Sequence, residues 1–101
     1  MNKRFKITRL NEQGEPTLTL KECQIFFATQ SDFEYKESYT ASSKEGVHMT
    51  LKGDFFMWQV GEVEIPFRMF DGEIYVAISD DVIMEKMVAL AEGLQAEYVE
   101  G

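Results

Sequence analysis

Three carboxylates are the residues best spaced for acid–base work in this chain. Glu62 and Glu64 fall on one strand face, and Glu73 lies across the next turn. General acid–base catalysis needs one such group desolvated while its neighbour stays charged. Arg68 is expected diagonally across from Glu73, so a surface ion pair is the simpler outcome. His48 and Cys23 are each the single residue of their type and lie far apart. Without CxxC or HxxxH spacing, no zinc site is expected. His48 alternates with Thr50 and Lys52, which reads as an exposed strand position rather than a catalytic base. Cys23 has no basic neighbour in sequence to lower its thiol pKa, so it reads as a small core residue. The seven glycines are scattered and make no phosphate-binding loop. The expectation is a non-catalytic protein with no metal and no cofactor.

These groups sit on a chain whose clearest local signal is Phe70-Asp71-Gly72-Glu73. Asp-Gly suits a two-residue type I′ turn, because both central residues need φ > 0. A hairpin centred there sets Met69 opposite Ile74, Phe67 opposite Val76, and Ile65 opposite Ile78, all on one apolar face. Glu64, Pro66, Arg68 and Phe70 then share the other face with Glu73, Tyr75, Ala77 and Ser79. Pro66 has no N–H for the ladder, so regular pairing is expected to end near Phe67 or to break at a bulge.

Ser79 or Asp80 can cap a helix. Ile83, Met87, Leu90, Leu94 and Tyr98 follow as one apolar stripe, widened by Met84, Val88 and Ala91, and predict a helix to about Tyr98. Asp81, Glu85 and Glu92 mark its wet side. Upstream, Lys3 to Leu10 reads as a strand, and 11–16 as a polar loop. Thr17 to Ala28 reads as a second strand with a bulge near Lys21-Glu22, because its apolar phase changes there. Asp32 to Ala41 is a third strand carrying Phe33, Tyr35 and Tyr39. A fourth strand begins at Val47, and Gly53 marks a bulge or bend in it. Phe55 to Trp58 is apolar on both faces, as in a strand covered on two sides. The expected fold is α+β: a strongly bent, mostly antiparallel, meander-like sheet of about six strands covered by one C-terminal helix, in a single domain 1–101.

The segment Phe67-Arg68-Met69-Phe70-Asp71-Gly72-Glu73-Ile74-Tyr75-Val76-Ala77 resembles the strand–turn–strand opening of phage antirepressor N-terminal domains. The resemblance covers 11 of 101 residues. Those domains begin with it, whereas here it lies late in the chain, and no site residue is carried over.

The net charge is −8. Lys3, Arg4, Lys6 and Arg9 open the chain with no acid among them, while from Asp54 onward only Arg68 and Lys86 oppose the carboxylates. Such a field repels nucleic acid and favours a basic partner. The aromatic face from Phe33 to Tyr39 can stack bases, yet the acidity opposes that use. No run approaches the roughly 18–20 apolar residues of a membrane span. The basic opening residues are not followed by an apolar segment, so no signal peptide is expected. A lone cysteine fits a reducing cytosol, with a bacterial or phage source expected from size. The functional expectation is a small acidic, cytoplasmic interaction or regulatory module for another protein. Its candidate partner surface is Glu64, Arg68, Phe70, Glu73 and Tyr75, flanked by Pro66. The alternative is a self-assembling subunit, a homodimer or larger, using Phe55 to Trp58. A DNA-mimicking inhibitor and a small-ligand-binding domain are further alternatives.

Overall fold

The computed structural model describes residues 3–42 and 45–101. The chain runs β1 (Lys3–Thr8), α1 (Leu20–Ala28), β2 (Phe33–Ser42), β3 (His48–Val60), β4 (Val63–Phe70), β5 (Glu73–Ile78), α2 (Asp81–Gly93) and β6 (Glu97–Glu100). The strands form one antiparallel sheet in the order β2-β3-β4-β5-β1-β6. The fold is α+β, with a meander from β2 to β5 as expected. Both helices pack on the same face.

That face is built by strand alternation. Ile7, Phe56, Trp58, Phe67, Ile74 and Val76 point into it and are buried. α2 adds Ile83, Met87, Leu90 and Ala91, the expected stripe. Asp80 caps it, its Oδ1 accepting from the Ile83 N–H at 3.0 Å. Fully burying a side chain such as Phe56 or Phe67 stabilises the fold by about 1.5–3 kcal/mol.

Two elements correct the sequence expectation. Residues 20–28 form α1 and not a strand. Cys23, Ile25 and Phe27 alternate like a strand, but Leu20, Cys23 and Phe27 also lie at helical spacing, and the helix wins. Ile25 is left exposed while Cys23 and Phe27 are buried. Thr19 accepts from the Glu22 N–H at 3.2 Å, and the Thr-x-x-Glu spacing is that of a capping box. The phase change near Lys21-Glu22 therefore marks the first turn of a helix rather than a bulge. Phe27 stacks on Phe56 at 4.2 Å and closes the helix against the sheet.

The second correction is the end of α2. The apolar stripe continues to Tyr98, but the helix stops at Gly93, and Gln95 adopts φ 54. Gln95 N–H bonds Glu92 O at 3.1 Å and Ala96 N–H bonds Ala91 O at 2.8 Å. This pair is a Schellman motif, which reverses the chain. Tyr98 then lies on β6, an edge strand paired to β1, and is partly exposed. The strand count of six survives because β6 replaces the strand expected at 17–28.

Asp71 (φ 54) and Gly72 (φ 78) form the expected type I′ turn. Met69 faces Ile74, as the register predicts. Pairing of β4 with β5 ends at Arg68–Tyr75, so the two outer pairs of the expected ladder do not form. Pro66 explains this: it stays on the β3 side opposite Met57, while β5 keeps its pairing with β1 on its other edge out to Ile78. The shift at Gly53 is present too, where Lys36–Phe55 gives way to Ser38–Lys52.

Two polar clasps tie the layers. Arg9 bonds Glu22 at 2.7 Å, Thr17 Oγ1 at 3.0 Å and the Leu94 carbonyl at 3.0 Å, linking β1, α1 and the end of α2. Asp32 accepts from Lys86 Nζ at 2.8 Å and Trp58 Nε1 at 2.9 Å.

A candidate binding groove on the helix-free face

The face opposite the helices carries Arg4, Lys6, Phe55, Met57, Arg68 and Tyr75, again by alternation. No helix covers it. Where β4 parts from β5, the sheet opens a groove of about 450 Å³. Pro66, Arg68 and Phe70 form one wall, and Tyr75 and Ala77 the other. Arg4 reaches it from β1, and Tyr39, Leu51 and Phe55 close it from the β2–β3 hairpin. Proline at 66 thus creates the opening by denying the ladder a donor.

Phe55 to Trp58, expected to be covered on both sides, is buried throughout. Phe56 and Trp58 lie under the helices. Phe55 lies under Tyr39 and Arg68, with ring centroids 5.7 Å from Tyr39 and 5.7 Å from the Arg68 guanidinium carbon. The second cover comes from this chain's own side chains. The aromatic strand face from Phe33 to Tyr39 is also divided. Phe33 and Tyr35 pack toward the helices, and the shift after Lys36 brings Tyr39 onto Phe55.

Arg68 lies between Phe55 and Phe70, its guanidinium carbon 5.2 Å from the Phe70 centroid. Each contact is worth about 0.5–1 kcal/mol at an exposed site and more when desolvated. Phe70 itself is 53% exposed. The expected Arg68–Glu73 ion pair is not formed. Glu73 is 8% exposed and pairs with Lys6 at 3.2 Å. Tyr75 Oη donates to the same carboxylate at 3.1 Å. The strand order that brings Lys6 beside Glu73 was not readable from local pattern. Burial pushes the Glu73 carboxyl up, but the Lys6 ammonium and the Tyr75 hydroxyl bonded to it outweigh that and hold it below its ordinary value. Burial, then Glu73, raises the Tyr75 phenol.

Of the five surface residues read from sequence, Arg68, Phe70 and Tyr75 line the groove. Glu73 lies beside Tyr75, and Glu64 belongs to a neighbouring depression with Lys36, Tyr39 and Met57. Glu64 accepts from Gln59 at 2.6 Å and Lys36 at 3.1 Å, and both lower its pKa. Glu64 and Glu73 are therefore paired with separate lysines, each of which lowers the pKa of its carboxyl. Sequence reading missed Arg4, Tyr39, Leu51 and Phe55. Only the alternation of Leu51 with Phe55 across Gly53 hinted at them.

His48 is exposed at the start of β3. Cys23 is fully buried, and burial pushes its thiol up to about 11, so it is a poor nucleophile. Among the described residues no three His, Cys, Asp or Glu side chains gather as metal ligands, and no helix is long and apolar enough to cross a membrane. No protein family, curated protein or solved structure matches this chain.

Proposed function

We propose that this protein is a non-catalytic interaction module that takes a segment of a partner protein into the groove between β4 and β5. One observation carries this: an exposed Phe70 with Arg68 stacked on it, at the rim of a groove on a sheet face that no helix among the described residues covers. Aromatic and arginine side chains dominate the energetics of protein interfaces. Cytosolic residence is part of the proposal, supported by the single free thiol of Cys23.

The test is co-purification from the native host with wild type and Phe70→Ala, followed by titration of the partner so identified. Phe70→Ala is expected to weaken binding by about tenfold or more, the effect of a hot-spot aromatic. Equal binding by both proteins would rule the groove out.

A second reading, self-association, draws support from Met49 at 60% and Leu51 at 41% exposure on the β2–β3 hairpin. A dimer in light scattering that Leu51→Ser converts to monomer would favour it. A monomer at high protein concentration would remove it.

A further inference from the structure

We infer that the groove recognises an acidic peptide, a carboxylate side chain with an apolar neighbour, and that Arg68 receives the carboxylate. This rests on the groove being a partner site, and it adds the chemistry of the partner.

The charge pattern is the first support. The other partly buried cations are neutralised within the chain: Lys6 by Glu73, Arg9 by Glu22, Lys36 by Glu64 and Lys86 by Asp32. Among the described residues Arg68 has no acidic partner, and its buried Nε has no hydrogen-bond acceptor. The groove lining holds no carboxylate, its charged residues being Arg4 and Arg68. This local excess of positive charge stands out in a chain of net −8. The exposed acids Asp80, Asp81, Glu85 and Glu92 lie at the cap and on the outer side of α2, which packs against the opposite face of the sheet.

Preorganisation is the second. Phe55 and Phe70 hold the guanidinium between them, so little rotamer freedom is lost when a carboxylate meets its planar fork. The aromatic walls from Tyr39, Phe55 and Phe70 ask for an apolar side chain next to the anion. A phosphorylated group or nucleic acid, carrying more charge, meets stronger long-range repulsion from the acidic body.

The experiment is selection of a displayed random dodecapeptide library on the intact wild-type protein, in parallel with Arg68→Gln and Phe70→Ala. Circular dichroism and Trp58 fluorescence establish that each variant is folded. Wild type is expected to enrich peptides with Asp or Glu beside Phe, Tyr or Leu. Arg68→Gln should bind those peptides on the order of tenfold to a hundredfold more weakly, the range of a lost charge-assisted hydrogen bond. Arg68→Lys, which keeps the charge and loses the fork, should fall between. Phe70-dependent peptides that are neutral or basic would overturn the carboxylate and leave the groove as a partner site. Competition by inorganic phosphate at concentrations where acetate has no effect would overturn it in favour of a phosphorylated ligand. Absence of any Phe70-dependent peptide would overturn both the acidic ligand and the groove.

Discussion

Replacing Gly93 by alanine sets helix propensity against packing where α1 meets α2. Gly93 closes α2 and its φ is not positive, so alanine fits the backbone. In an open helix the exchange stabilises by about 0.8–1 kcal/mol. Here the new methyl would lie 2.7 Å from Cε1 and Cζ of Phe26. Carbon atoms prefer about 3.5–4.0 Å, so the ring must move by roughly 1 Å. It would do so against Phe27, with which it makes an edge contact at 5.3 Å. Overpacking of this kind costs about 1–3 kcal/mol. The two effects together leave Gly93→Ala destabilised by up to about 2 kcal/mol. The coupling is the sharper quantity. In a Phe26→Ala background the obstruction is gone, and Gly93→Ala should stabilise by about 0.5–1 kcal/mol. The double-mutant cycle should therefore show about 1–3 kcal/mol of coupling between the sites. Urea unfolding followed by Trp58, the only tryptophan, measures all four proteins. A coupling below about 0.3 kcal/mol, the range of independent sites, would refute the packing argument.

Two further predictions concern the turn and the acid limb of stability. Gly72→Ala meets both a positive φ of 78 and a Pro16 Cβ at 3.0 Å, whereas Gly14→Ala meets the same φ in open space. Thermal melts should show Gly72→Ala losing about 1–3 kcal/mol and Gly14→Ala less, and equal losses would remove the Pro16 contact as a cause. Asp32 is pushed up by burial, but hydrogen bonds from Lys86 and Trp58 outweigh that and hold it below its ordinary value. A carboxyl lowered on folding contributes stability that is complete above its unfolded pKa of about 3.9 and is lost as pH falls through the folded value. Asp32→Asn should flatten the fall in urea midpoint below about pH 4. At pH 7 it should cost only about 1 kcal/mol, because 38% of the Asp32 side chain is exposed. An unchanged acid limb would show that the clasp does not carry the pH dependence.

Local pattern determined much of this protein. Asp71-Gly72 required a turn with two positive φ values, and that turn pinned the register of Met69 against Ile74. Asp80 and the stripe from Ile83 to Leu94 specified α2, because a capping carboxylate and a 3.6-residue period leave few alternatives. Pro66 announced a break in the ladder, and the break became the groove. Arg68, Phe70 and Tyr75 were legible as one face of a hairpin for the same reason.

Tertiary structure decided what local pattern left ambiguous. The segment 20–28 satisfies both a strand and a helix period, and the fit of Cys23 and Phe27 against Phe56 and Phe33, with the Thr19 cap, selects the helix. The stripe through Tyr98 continues the helical period, but Gln95 turns the chain so that β6 can pair with β1. Most of all, the strand order set β1 beside β5, which gave Glu73 to Lys6 and left Arg68 without an acid among the described residues. Residues 67 positions apart in sequence had to meet before the groove acquired its charge.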